Sequence, residues 1–151
     1  TLFRSRHTRA ICERIDQAID DFLQGRSTFL QIDVPFRHGK SDICSRALPA
    51  YFLGRCAEVQ PDIIMTGYGA DLVEGLSRKT KAIVRSDAYR KLFPGIEIDK
   101  ARSSNSKWAI MGFTGETTVA GLGGVLMAQL SPFADPGALG LFGALERMAY
   151  A

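Results

Sequence analysis

The residues best placed to do chemistry stand in one continuous stretch. Phe29-Leu30-Gln31-Ile32-Asp33 is a short, mostly apolar run and reads as a strand. Val34-Pro35-Phe36-Arg37-His38-Gly39-Lys40-Ser41-Asp42 follows and reads as a loop from its Pro and Gly. Ile43, Ala47 and Tyr51 then recur at helical spacing up to Gly54, with Pro49 expected to kink or shorten that helix. A loop between a strand and a helix suits the binding of phosphate. Backbone N–H groups at a helix N-terminus surround the anion and the helix dipole favours it. In that setting Gly39 lets the backbone approach closely, and Lys40 reaches the β- and γ-phosphates as a point charge. The Ser41 hydroxyl is the candidate ligand of Mg²⁺. This is the logic of a Walker A loop, although the position five before Gly39 is Val34 rather than the usual Gly. The bland alternative is a basic surface turn with Arg37 and Lys40 merely solvated.

Other segments must hold such a loop in place. Ile11, Ile15, Ile19 and Phe22 put one apolar face on a helix over 8–24, ended by Gly25. Ile63-Ile64-Met65-Thr66 reads as a second strand, and Leu72, Leu76, Lys79 and Ile83 as a helix after it. Residues 101–107 are polar and read as a loop. Trp108–Phe113 and Thr117–Ala120 flank Gly115 like the arms of a β-hairpin. Strands alternating with helices argue for an α/β fold on a parallel sheet. From Val125 on, Gly and Pro recur without period, so residues 1–124 read as the domain and 125–151 as a divergent tail.

Composition narrows the classes. The chain has 151 residues, 46% hydrophobic and 23% charged, which excludes disordered and fibrous classes. Nineteen Lys+Arg against 16 Asp+Glu leave a net charge of +3, which permits phosphate contacts without demanding them. Cys12, Cys44 and Cys56 form no Cys-x-x-Cys pair, so a disulfide framework or zinc site is not expected and a reducing, cytoplasmic setting is. No secretory leader or 18-residue apolar run is expected, and with them no membrane partner. His38 is a candidate phosphate contact or a solvated loop residue; with His7 it shares no metal-ligand spacing. Tyr68 reads as a packing residue or as a wall of a nucleotide pocket, and Trp108 as core or a domain edge rather than a base-stacking platform. Arg78, Lys79, Lys81 and Arg85 form a basic run on a helix, either a solvated face or a seat for DNA phosphates. No Ser/His/Asp set with defensible placement appears.

Residues 34–42 resemble the Pro-Pro-Arg-His-Gly-Lys-Ser-Glu loop of phage terminase large subunits, the ATP-driven motors that package viral DNA, with Phe36 and Asp42 departing from that pattern. The resemblance continues through Arg46–Gly54, which accommodates Pro49, and through Ile64–Tyr68 with Ala70-Asp71-Leu72. It goes on through Ser77-Arg78-Lys79, Ile83–Ser86, Tyr89–Pro94, Trp108 and Ala120–Gly124, covering roughly residues 7–124. It implies a P-loop NTPase-like parallel sheet with flanking helices, incomplete and with an added β-hairpin. It also implies ATP and Mg²⁺ held by Arg37, His38, Gly39, Lys40, Ser41 and Asp42, with Arg37 and Lys40 catalytic and Ser41 on the metal. The partners it implies are double-stranded DNA, a terminase small subunit, a portal protein and a homo-oligomeric ring in the cytoplasm of a bacterial host.

After Gly124 the family pattern calls for an apolar strand ending in acidic residues. Here Val125-Leu126-Met127-Ala128-Gln129-Leu130-Ser131-Pro132 follows, and Asp135 is the nearest carboxylate. The family's nuclease domain finds no counterpart in these 151 residues. Phosphoryl transfer needs charge neutralisation by a well-held metal. The expectation is therefore weak nucleotide binding with little or no hydrolysis. Two alternatives stay open: another P-loop enzyme such as a kinase, and a non-catalytic prophage remnant that keeps the fold.

Overall fold

A computed structural model describes residues 5–35 and 37–121. The expected tail over 125–151 lies outside the described residues. Helix α1 spans Arg6–Leu23 and buries Ile11, Ile15 and Ile19 along one stripe. It ends in a left-handed glycine: Gly25 has φ +75°, its N–H donates to the Phe22 carbonyl (2.9 Å), and the Arg26 N–H donates to the Asp21 carbonyl (2.9 Å).

The helix after the loop has two parts. Ser41–Ala47 is a wide π-type turn in which the Leu48 N–H reaches back five residues to the Ile43 carbonyl. Helix α2, Leu48–Arg55, then begins with Pro49 in its first turn, where a missing N–H costs little. Strand β1 is Ile63–Gly67, and helices α3 and α4 are Ala70–Val84 and Asp87–Leu92. Strands β2, β3 and β4 are Ile98–Ser103, Lys107–Ile110 and Glu116–Gly121.

The sheet has the order β1-β4-β3-β2. β1 and β4 run parallel in register from Ile63↔Thr117 to Gly67↔Gly121. β4–β3 and β3–β2 are antiparallel. The fold is thus α/β with a mixed four-stranded sheet and flanking helices. The α/β class is as expected, but of the expected parallel sheet with an added hairpin only the β1–β4 pair is parallel. The reason is length: two connections are short hairpins, and only β1 to β4 has a helical crossover long enough for parallel pairing.

Two further expectations change. Phe29–Asp33 carries no strand pairing. Ile32 and, just beyond it, Val34 pack on the cluster formed by α1 and α2, so the alternation is satisfied by helices and the backbone finds no ladder. The polar segment expected as a loop over 101–107 is mostly strand, because β2 runs to Ser103 and only the tight Ser104–Ser106 turn separates it from β3. The Gly115 hairpin is as expected. Gly115 is needed there: a Cβ would stand 2.2 Å from the Gln60 carbonyl oxygen. Next to it, the Glu116 N–H donates to Asp62 Oδ1 (2.8 Å), which ties the start of β4 to the entrance of β1.

The main core lies between the sheet and α2–α4, around Trp108, Ile110, Ile98, Val84, Leu53 and Tyr89. Trp108 is fully buried, and its indole N–H donates to Ser77 Oγ (2.9 Å). The Tyr89 hydroxyl donates to the Ala50 carbonyl (2.8 Å), and burial pushes its pKa up to about 12.

Ser77→Ala leaves the indole N–H without its acceptor and is expected to cost about 1–3 kcal/mol in a urea melt followed by Trp108 fluorescence. Tyr89 adds a pH dependence. The unfolded phenol ionises near pH 10 and the native one near 12. Between these values the unfolded state binds fewer protons, so stability falls as pH rises. A loss on the order of 2–3 kcal/mol is expected across that window, and Tyr89→Phe should flatten it.

Candidate functional site

The loop before the π-type turn changes hand twice. Arg37 has φ +64° and Gly39 φ +80°, while Lys40 returns to right-handed values (φ −52°, ψ −51°). Alternating hand turns successive N–H groups toward one side, the geometry of anion-binding concavities. Gly39 is the residue that adopts its left-handed φ without cost. The Gly39 carbonyl then accepts from the Ile43 N–H (3.0 Å), so the loop opens directly into helix.

Of the six expected site residues, Arg37, His38, Gly39, Lys40, Ser41 and Asp42 stand together because they are consecutive. Their side chains diverge in role. Lys40 is exposed. Its charge is felt one turn on, at Cys44, whose thiol pKa is raised chiefly by burial against the lowering effect of Lys40. Asp42 pairs with Arg46, so it is engaged within the helix rather than turned to the loop. His38 packs edge-on against His7 of α1, with ring centroids 5.5 Å apart. That neighbour was missed: 31 positions separate the two, and no local spacing signals it.

The other candidates sort by burial. Trp108 is core as expected. Tyr68 does not pack; it is 76% exposed just past the end of β1. Lys81 leaves the basic face. It is buried, its Nζ donates to the Ser104 carbonyl (2.9 Å), and desolvation with help from Arg85 and Arg78 lowers its pKa. Arg78 and Lys79 on α3 and Arg85 just past its end remain exposed.

The residues present fit a phosphate better than a metal. The backbone hand, Lys40 and Arg37 suit a polyanion. Among the described residues no group of three or more His, Cys, Asp or Glu is placed to hold a metal ion. Asp42, the carboxylate next to Ser41 in the chain, is taken up by Arg46. A groove of about 830 Å³ lies behind the loop, between the helices and the edge of β1, and Arg37–Ser41 do not line it. Among the described residues no helix is long and apolar enough to cross a membrane.

Thr80 ties the loop's helix to α3. Its buried hydroxyl lies 3.2 Å from the Arg46 carbonyl, with the Ser45 carbonyl at 3.5 Å and its own turn's Leu76 carbonyl at 3.2 Å. A π-type turn leaves carbonyls poorly served, and this hydroxyl reaches them. Thr80→Val keeps the shape but removes the donor. A loss of about 1–3 kcal/mol is expected on thermal or urea unfolding, with faster amide exchange in Ser41–Leu48. Compared with family models, curated proteins and solved structures, the chain matches none.

Proposed function

We propose that the chain is the ATP-binding part of a viral DNA-packaging motor of the terminase large-subunit kind. Arg37–Ser41 cradle the triphosphate. The reading rests on one observation above the rest: a loop of alternating hand, with Gly39 at φ +80°, that opens directly into a helix behind Lys40 and Ser41. The ordered resemblance over residues 7–124 supports it. In this reading Gly39 and the adjoining amides hold the phosphates, Lys40 and Arg37 neutralise them, and Ser41 offers its hydroxyl to Mg²⁺.

ATP–Mg²⁺ would supply the phosphoryl group and the charge neutralisation when bound. This chain's own residues bind and orient it. Asp42, the carboxylate next to Ser41, is paired with Arg46, so it is not offered to an attacking water. Coupling of hydrolysis to translocation along double-stranded DNA belongs to the parent motor, with its small subunit, portal and ring, in the host cytoplasm. A second reading, a non-catalytic domain that keeps the fold, is favoured by the pairing of Asp42 with Arg46 and by the absence, among the described residues, of a cluster of three or more His, Cys, Asp or Glu placed to hold a metal ion.

The deciding experiment is a titration of the purified chain with a fluorescent ATP analogue, followed by anisotropy. Weak binding is expected, falling about ten- to a hundred-fold in Lys40→Ala, the worth of a charged hydrogen bond. Phosphate release should stay at background in both. Equal binding by the two proteins would overturn the cradle, and turnover abolished by Lys40→Ala would overturn the deficiency.

A further inference from the structure

Helix α1 runs beside the loop's helix, and three contacts give the direction. His7 packs on His38, the Tyr51 hydroxyl donates to Asp16 Oδ1 (2.9 Å), and the Arg55 guanidinium donates to Asp20 Oδ1 (2.8 Å). Residue numbers rise together on both sides, so the two helices lie side by side and point the same way. On α1, Cys12, Asp16 and Asp20 follow at a spacing of four and share one stripe. The contacts of Asp16 and Asp20 turn that stripe toward the partner helix.

Cys12 stands on the stripe one turn before Asp16, between the His7 and Asp16 contacts. Cys44 stands in the π-type turn, between the His38 and Tyr51 contacts. The two cysteines are thereby brought to the same level of facing helices. Both pack on the cluster that holds Ile11, Ile15 and Ile43, and both are half-buried free thiols that small solutes can reach. Burial chiefly raises the Cys44 pKa. Lys40 lowers it and Cys12 adds to the rise, so the two thiols stand near enough to feel each other. Cys56 belongs to the same cluster but is fully buried. It follows Arg55 at the level of Asp20, two turns from Cys12, roughly 12 Å along the axis and beyond a disulfide's reach.

We propose that Cys12 and Cys44 form a reversible disulfide, a redox-sensitive staple that fixes α1 to the first turns of the loop's helix. A disulfide asks for Cα atoms about 4.4–6.8 Å apart. Small side chains at facing positions permit that approach, and the π-type turn, with its poorly served carbonyls, gives the Cys44 backbone room to complete it. Hydrogen peroxide suffices as oxidant. One thiol attacks a peroxide oxygen, the O–O bond breaks, water leaves and a sulfenic acid remains. The other thiol attacks that sulfur, the S–O bond breaks, a second water leaves and the S–S bond remains. The thiols give up two electrons and their two protons, and the peroxide ends as two waters. Thirty-two positions separate the cysteines, so the bridge closes a long loop and restricts the unfolded chain. It holds the loop's helix from the α1 side, as Thr80 holds it from α3. In reducing surroundings both thiols stay free. The staple does not depend on what the phosphate loop binds.

The test is oxidation of the whole chain, freed of reductant, with hydrogen peroxide at several protein concentrations. A tryptic digest kept non-reduced is then read by mass spectrometry. Residues 10–14 and 41–46 leave as separate peptides carrying Cys12 and Cys44. They are expected joined, two hydrogens lighter than their sum, at a rate independent of protein concentration, and apart again after dithiothreitol. Oxidation should raise the thermal midpoint by roughly 5 °C or more. Cys12→Ser and Cys44→Ser should each lose the joined peptides and the rise, while Cys56→Ala keeps both. Trp108 fluorescence checks that each variant is folded before oxidation, and the peptides of the unaltered chain decide alone where a variant is not. Thiols that pass to sulfinic or sulfonic acids without joining overturn the staple. So does a bridge that contains Cys56, or joining that speeds with concentration, the mark of a link between two chains. Joined peptides without a thermal rise overturn the fixing of α1.

Discussion

One face of α3 decides how the molecule is joined. Within five residues it buries Ser77, Thr80 and Lys81, and each meets a different element. Ser77 accepts from the Trp108 indole in β3, Thr80 donates to the carbonyls of the π-type turn, and Lys81 donates to the Ser104 carbonyl between β2 and β3. Buried polar groups are costly unless matched, and matched they fix one arrangement. An apolar stripe would have let α3 slide. These polar contacts, at 2.9 to 3.2 Å, lock the sheet, its outer hairpin and the helix behind Lys40 into one register.

That arrangement explains which features could be read in advance. Helix α1 was legible because its isoleucines recur at four-residue spacing and its end carries a glycine. The Gly115 hairpin was legible from two β-prone arms around a small residue. Strand β2 was not, because Ile98-Asp99-Lys100-Ala101-Arg102-Ser103 is polar and sits at the sheet's edge. Ile98 anchors its start in the core, and its other side chains pair at the surface, with Arg102 on Asp99 (3.0 Å) and, next door, Lys107 on Glu116 across β3 and β4 (2.6 Å). Such exposed pairs contribute little each and leave no hydrophobic period. Phe29–Asp33 failed in the opposite way. Its alternation tells which side is buried and is silent on whether the backbone finds a partner, since a helix layer can take the same side chains.

The candidate site divides along the same line. The turn of the loop was legible because its parts are consecutive: Arg37, Gly39, Lys40 and Ser41 need only a backbone of the right hand, and Gly39 allows it. Contacts made by distant chain were not legible, and His7 against His38 is the example. Lys81 shows the converse error. Spacing assigned it to a basic face with Arg78 and Arg85, but a lysine's long stem lets the ammonium reach a buried carbonyl, and burial then lowers its pKa with those two arginines adding to the effect.

Binding and hydrolysis accordingly make different demands on a fold. Holding a polyanion needs amides and cations from one local stretch, which tolerates the loss of sheet around it. Splitting the terminal phosphate needs a metal held by a carboxylate from a second strand and a further group on the water. Asp42, the only carboxylate within the loop stretch, is tied to Arg46 four residues on. Its charge thereby steadies the first turns of the loop's helix, where a negative group is favoured by the dipole. A carboxylate so used stabilises the loop's helix and is engaged away from Ser41's hydroxyl, so under the proposed function the interaction that keeps this stretch helical argues for binding without turnover.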